Sequence, residues 1–465
     1  MGARSGENAR RFYLSVVCYR LSGSIANVRA RFMTVRQAAS AKGLFRLRIC
    51  SILIITVLSV CGAHAVRQFW AGEPGDFAHF YRAASAMWKG EDIYLAAQGR
   101  YIYPPFLAFI FQPLTLLSER TAATVWTTIN AALIFIATLI ASKEAAARWP
   151  RFANEGDVSP PWIIATAVTC LMVDKIRGTF ALGQTDCLML LGFACVLRWM
   201  ERKPLLAGLA VGASANVKYL TLICVPYFLV KRNFKAAFAA ILAFLCFLLL
   251  PGIEIGYEKL EYYLENSVGG LRRLIVTAPA PIHVFHVTWD RSVSITSSVF
   301  RFTRSAALPD PVAVILVLLL FGGIMTAIVW IGRRHGVSLF RPRQRKTEPD
   351  PVTHIEWAVA IFLAVAFSPQ STVRHMILLL LIYTVVIAIF LNETATTPRI
   401  LLGGALVLVV AALSLPFSII GLAHQRGNWQ AIGGASWCAL ILVLVTVWTG
   451  TRAITTKNKM PNFRP

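Results

Sequence analysis

Asp76 stands near the start of GDFAHFYRAASAMWKGEDIYLAAQGRYIYPP, residues 75–105, just past the first long apolar run at about residues 49–65. A carboxylate at a membrane–water interface can take a proton from the hydroxyl of something amphipathic, such as a sugar on a lipid. Phe77, Phe80, Tyr81, Trp88, Tyr94, Tyr101 and Tyr103 follow it and could stack on such a sugar. The alternative is a solvated turn with an interfacial aromatic belt. Glu73 precedes Asp76, and Asp92 sits in GEDIY, where a short acid caps or turns the chain.

Three further polar sets fall in or beside apolar runs, where polar groups are costly and so become functional candidates. The first is Gly183-Gln184-Thr185-Asp186. The second is Lys218, the only charge between Lys203 and Lys231. If segments 204–216 and 217–230 form a hairpin, Lys218 lies at its tip, facing substrate; otherwise it snorkels to an interface. The third is Ser368-Pro369-Gln370-Ser371-Thr372-Val373-Arg374-His375. Ser-Pro breaks a helix, and Arg374-His375 opens the next one, a place for a phosphate or simply a turn with one interfacial arginine. Asp290-Arg291-Ser292, with Arg301 and Arg304, is a weaker set, since loop arginines are commonly just solvated. One acid and several cations make the set that glycosyl transfer from a lipid phosphate needs: a base for the acceptor hydroxyl and positive charge for the departing phosphate.

The elements that must position these groups are apolar helices. The 465 residues are 57% hydrophobic and 15% charged, with mean hydropathy +0.62. Soluble domains carry about 25% charge. Apolar stretches run continuously rather than alternating, which excludes a transmembrane barrel. They lie near 49–65, 104–118, 122–141, 160–174, 182–198, 204–216, 217–230, 234–252, 311–332, 355–369, 375–391, 399–420 and 432–450. Basic loops at 1–48, 198–203, 231–235, 333–346 and 451–465 orient the chain with loops 66–103, 253–310 and 370–374 outside. Five segments precede the inward loop at 198–203, where an inside-to-inside path needs an even number. One of them, 104–118 or 160–174, therefore falls short of crossing, and about 12 spans are expected. Residues 1–47 read as a basic, disordered cytoplasmic extension, with Met33 an alternative start. Residues 48–450 form the transmembrane domain and 451–465 a basic cytoplasmic tail. EIGYEKLEYYLENSVGGL, in the second outward loop, has the pattern of an interfacial amphipathic helix.

The net charge of +24 gathers in the loops flanking spans, which marks topology rather than nucleic-acid binding. The nine cysteines have no paired spacing and lie mostly in apolar runs, so neither a disulfide framework nor a zinc site is read. No P-loop or nucleotide-binding pattern is present, and no cofactor is expected, with a divalent metal left open.

The chain resembles glycosyltransferase family 87, the polyprenol-phosphate-mannose-dependent mannosyltransferase-like proteins of the C-superfamily of membrane glycosyltransferases. The matching pieces run in order: Asp76-Phe77 with Tyr81 and Ala83-Ala84; Gly90, Asp92 and Tyr94; Tyr103-Pro104-Pro105 and Pro113-Leu114; Trp126 and Asn130; Gly183-Gln184; Ala207-Gly208 through Lys218; and Ser368-Pro369 with His375. They cover about residues 50–390. The resemblance implies an all-α helical bundle of the C-superfamily type in which Asp76 matches the catalytic acid, and Lys218 and His375 match residues near the donor phosphate. It also implies inversion at the anomeric carbon. The sequence departs from the family at Thr185-Asp186, Tyr219-Leu220, Gln370 to Arg374, and Asp290-Arg291-Ser292. Those positions adjoin the pocket and bear on which sugar and acceptor are used.

The resulting expectation is a multi-pass bacterial inner-membrane enzyme with its site on the periplasmic face. A polyprenyl-phosphate hexose, mannose first, gives its sugar to a glycan or glycolipid acceptor. Asp76 is the base, with Tyr81, Tyr103, Gln184, Lys218, Arg291, Arg374 and His375 binding substrate. One strong acid, rather than two, fits direct displacement. The rival is a transporter or flippase of lipid-linked sugar, which would show paired repeats; none is evident.

Overall fold

The computed structural model describes residues 41–73, 75–150, 159–273, 282–342, 349–414 and 425–459. Among them every regular element is an α- or 3₁₀-helix. Most of the expected 1–47 extension lies outside the described residues. The first described helix, Ala41–Trp70, starts inside that stretch, so the 47/48 boundary falls within a helix. The last helix, Gly434–Lys459, likewise runs on into the expected tail.

Among the described residues, seven helices are long and apolar enough to cross a membrane: Phe45–Trp70, Glu119–Arg148, Phe234–Ile255, Asp310–Arg334, His375–Asn392, Thr396–Ser414 and Gly434–Thr456. Five shorter apolar helices accompany them: Pro105–Leu116, Pro160–Leu171, Pro204–Ala215, Tyr219–Val230 and Pro351–Ala366. Four of the five start on proline, whose missing N–H costs nothing at a helix's first position. Pro160–Leu171 and Pro204–Ala215 have 12 residues each. At 1.5 Å per residue that is about 18 Å, short of a hydrocarbon core about 30 Å thick. Pro113 interrupts the first of the five: the α-helix stops at Phe111 and a 3₁₀ turn, Gln112–Leu116, carries on.

Burial sorts the helices. The central one, His375–Asn392, is 83% buried, whereas Asp310–Arg334 is 17% buried and turns its apolar surface outward. The central helix packs on Pro351–Ala366, Glu119–Arg148 and Pro160–Leu171. Pro204–Ala215 lies close against Phe234–Leu249 because Gly212 has no side chain: a Cβ there would come within 2.5 Å of the Phe244 nitrogen.

One long helix links two ends of the molecule. Ser118 caps Glu119–Arg148, its hydroxyl accepting from the Thr121 N–H. Near its start, Trp126 and Asn130 reach the Gly183-Gln184 turn. Near its end, Glu144 pairs with Arg148 and, at 2.6 Å, with Arg198, while Arg148 meets Glu201 at 3.3 Å. Fourteen residues separate Asn130 from Glu144, about 21 Å of helix. Glu356, fully buried, accepts from Lys231 at 2.8 Å and Tyr227 at 2.9 Å. Several charges of the basic loops are thus fixed in ion pairs at the end away from Asp76.

Candidate active site

Asp76 precedes the helix Phe77–Trp88 in the capping position, but its side chain makes no capping bond. Its own N–H and that of Phe77 donate to the Leu182 carbonyl at 2.9 and 3.2 Å. The carboxylate is therefore free for tertiary partners, and it takes two: the Gln184 amide and the Arg374 guanidinium. Asp92 behaves differently and as its sequence setting implied. It caps Ile93–Ala96, accepting from Tyr94 and Leu95 N–H at 2.8 and 3.0 Å.

Gln184 is held by its backbone. Trp126 Nε1 donates to the Gly183 carbonyl and Asn130 Nδ2 to the Gln184 carbonyl, each at 3.0 Å. Gly183 has φ +61°, and a Cβ there would lie 2.6 Å from Phe77 Cβ. The two loops interlock at a point only glycine can occupy. The Gln184 side chain donates to Asp76 and accepts from Lys218 Nζ at 3.4 Å.

Lys218 is the joint between Pro204–Ala215 and the 3₁₀ turn Tyr219–Ile223, in extended conformation. It does not snorkel. It forms an ion pair with Asp186, which is 0% exposed, and its ammonium lies 5.7 Å from the centre of the Tyr103 ring. His375 Nε2 is 3.4 Å from Lys218 Nζ and 4.0 Å from Asp186. The Thr372 N–H donates to His375 Nδ1 at 3.3 Å, which puts the proton of a neutral ring on Nε2. Burial pushes the Tyr103 phenol up, with Lys218 opposing, so the hydroxyl stays protonated as a hydrogen-bond donor.

These groups sit at and beside a cleft of about 970 Å³, lined in part by Asp76, His79, Tyr103, Arg374 and His375. Arg291, Phe285, Trp289, Gln370 and Arg100 line it as well. The wall formed by residues 283–297 is stitched to the Ser368–His375 segment. Val293 N–H donates to the Ser371 carbonyl at 2.7 Å, Ser371 N–H to Ser292 Oγ at 3.1 Å, and Ser297 Oγ to the Pro369 carbonyl at 2.9 Å.

Among the expected site residues, Asp76, Tyr103, Gln184, Lys218, Arg374 and His375 therefore converge, and Arg291 lies on the cleft wall. Tyr81 does not join them. Its hydroxyl donates to the Leu117 carbonyl at 2.8 Å and its ring packs on Phe77. Glu73 is not on the cleft wall. Three features differ from the sequence reading. Arg374 is the partner of Asp76 and not a free cation. A second acid, Asp186, is present, with one oxygen buried and unpartnered. And Arg301 is no solvated loop side chain, since it bonds three backbone carbonyls.

His79 lines the cleft as well. It stands one helical turn after Asp76, so helical spacing could have placed it on the cleft. Burial lowers the basicity of its imidazole more than nearby Asp76 restores it, leaving it neutral at pH 7. Asp186 had a signal too: it and Lys218 are opposite charges at the edges of apolar runs, which pair when buried. Among the described residues no group of three or more His, Cys, Asp or Glu side chains could hold a metal ion.

The sequence model of glycosyltransferase family 87 matches residues 101–343. The chain belongs to glycosyltransferase family 87. Two similar proteins are polyprenol-phosphate-mannose-dependent alpha-(1-2)-phosphatidylinositol pentamannoside mannosyltransferases. That from Mycobacterium tuberculosis (strain CDC 1551 / Oshkosh) is 26% identical over 197 residues, 42% of each chain. That from Mycolicibacterium smegmatis is 27% identical over 168 residues, 36% of this chain and 38% of the other. A phosphatidylinositol mannoside mannosyltransferase of M. tuberculosis (strain ATCC 25618 / H37Rv) is 21% identical over 252 residues, 50% of this chain and 58% of its own. The match spans less than two thirds of each relative's length. No solved structure matches significantly. The family 87 match takes in Tyr103, Gln184, Lys218 and Arg291, while Asp76, Arg374 and His375 lie outside it.

Proposed function

We propose that this family 87 chain is a membrane mannosyltransferase that uses a polyprenyl-phosphate mannose donor and a glycan or glycolipid acceptor. The observation that carries the reading is that Asp76 and Arg374 pair on the wall of one cleft, with Gln184 holding Asp76 from behind, in a chain of apolar helices. The Asp76 carboxylate takes the proton of the acceptor hydroxyl. That oxygen attacks the anomeric carbon from the face opposite the phosphate, the anomeric carbon–oxygen bond breaks, and the electron pair leaves on polyprenyl phosphate. The product carries inverted configuration. Arg374 has five N–H donors and can hold Asp76 and a phosphate oxygen together. As the phosphate gathers charge it draws the guanidinium, and the carboxylate is released to accept the proton. Lys218 and His375 meet the phosphate from the Asp186 side, while Gln184 and Tyr103 orient the sugar.

The relatives' names, which specify a polyprenol-phosphate-mannose donor and phosphatidylinositol mannoside acceptors, support this choice of substrates. Seven long apolar helices among the described residues support a multi-pass membrane protein. The ion pairs of the basic loops lie at the far end from Asp76, which supports a site on the outer face of a bacterial inner membrane.

The test is purified protein with synthetic polyprenyl-phosphate mannose and a phosphatidylinositol mannoside acceptor. Release of polyprenyl phosphate together with a mannosylated product of inverted configuration is expected. Movement of intact donor across vesicles without that release would establish the transporter instead.

A further inference from the structure

The outer part of the cleft has no task in the transfer step, yet it is built with care. Its wall, residues 283–291, carries Phe285 and Trp289 with rings stacked, centroids 4.1 Å apart and planes within 4°. Phe285 is 53% exposed. This irregular segment is fixed from three directions. Arg301 donates to the carbonyls of Trp289 at 2.5 Å, Ser292 at 2.9 Å and Ala431 at 2.7 Å. Gln370 Nε2 donates to the Phe285 carbonyl at 3.2 Å, and the His283 N–H to the Gly99 carbonyl at 2.8 Å. The last bond ties segment 283–291 to the loop at Gly99 and brings Arg100, next to Gly99, onto the same wall.

Charge is unbalanced there. The inner cations each have a carboxylate: Arg374 has Asp76, and Lys218 has Asp186. Arg100 and Arg291 both line the cleft, and neither has an ion pair among the described residues. A rigid aromatic face suits the C–H face of a pyranose, and unpaired guanidinium groups suit phosphate or carboxylate oxygens.

We propose that the outer half of the cleft is the acceptor subsite and that it takes an anionic carbohydrate. A sugar ring lies on the Phe285–Trp289 pair, and a phosphate or carboxylate of the same molecule is held by Arg100 and Arg291. This rests on the transfer reading above, since an acceptor is meaningful only if sugar is transferred. The anion can belong to a lipid headgroup or to a soluble glycan, and both meet the arginines in the same way.

Calorimetric titration of the purified full chain with three probes tests it: methyl mannoside, mannose 6-phosphate and phosphatidylinositol mannoside. The wild type is expected to bind the two phosphate-bearing probes roughly tenfold or more tightly than the neutral one. Arg100→Gln with Arg291→Gln should erase that margin, and Trp289→Ala should weaken all three. Titration with polyprenyl-phosphate mannose serves as control and should be unchanged in these variants. A margin for phosphatidylinositol mannoside alone identifies the lipid headgroup as the source; a margin for both identifies the phosphate itself. Equal affinity for neutral and anionic probes in the wild type overturns the proposal, as does donor binding that falls with the arginines. Failure of the transfer reading shows separately, as a wild type that does not bind polyprenyl-phosphate mannose.

Discussion

Asp76 and Arg374 stand 298 positions apart in the chain and meet as an ion pair at the cleft. Both are part-exposed, so their attraction is moderated by solvent and the pair is able to open. That suits a base that must be held in place and then released. Arg374→Ala should lower turnover and raise the donor KM, while Arg374→Lys should restore part of the donor affinity but not the two-pronged hold. The informative measurement is the double variant with Asp76→Asn. If the pair acts as a unit, adding Arg374→Ala to Asp76→Asn costs much less than it does alone. Full additivity would mean that the two residues work independently.

Lys218 and Asp186 are both within the protein, with side chains 9% and 0% exposed. Removing one partner leaves a buried, unpaired charge. Lys218→Met should cost about 3–5 kcal/mol of stability, and adding Asp186→Leu should recover much of it. Thermal unfolding in detergent measures both. Activity should not return in the double variant, because the phosphate has then lost its cation. A stable and active Lys218→Met protein would show that the lysine is dispensable to both fold and reaction.

Gly183→Ala places a methyl group against Phe77 at a backbone angle of φ +61°. The strain should cost about 1–3 kcal/mol. It also shifts Gln184, whose amide holds Asp76. Loss of turnover should therefore exceed the loss of folded protein, read as activity per folded molecule. Equal losses would assign Gly183 a purely structural part.

Much of the site could be read in the sequence because the cost of polar groups in apolar runs limits the candidates. Gln184, Lys218, Arg374 and His375 stand out by that contrast, and Asp76 by its place just past the first apolar run. The amphipathic pattern of 254–271 is legible too: it holds the helix Tyr257–Arg273, whose Tyr263 is buried while Tyr257 and Tyr262 are exposed. Pairing was not legible. Nothing local tells Arg374 that its partner is Asp76 rather than a phosphate, because that contact forms only when distant helices pack. Tyr81 shows the same limit at short range. It follows Phe80 directly, so the helix turns it about 100° away, to the Leu117 carbonyl. The Phe285–Trp289 stack lies on an irregular segment with no periodicity to read, and its support comes from Arg301 and Gln370 in other parts of the chain.

The central claim is that Asp76 is the base, and Asp76→Asn tests it most directly. The amide keeps the shape and its place beside Gln184 but cannot accept the proton. Polyprenyl phosphate release and donor affinity are measured together in one detergent preparation, with Glu73→Gln as control. Turnover should fall roughly 10²–10⁴-fold in Asp76→Asn, with donor binding largely kept and Glu73→Gln at the wild-type rate. Product formation at the wild-type rate by Asp76→Asn would contradict the account, and its loss in Glu73→Gln instead would give the role to the other carboxylate.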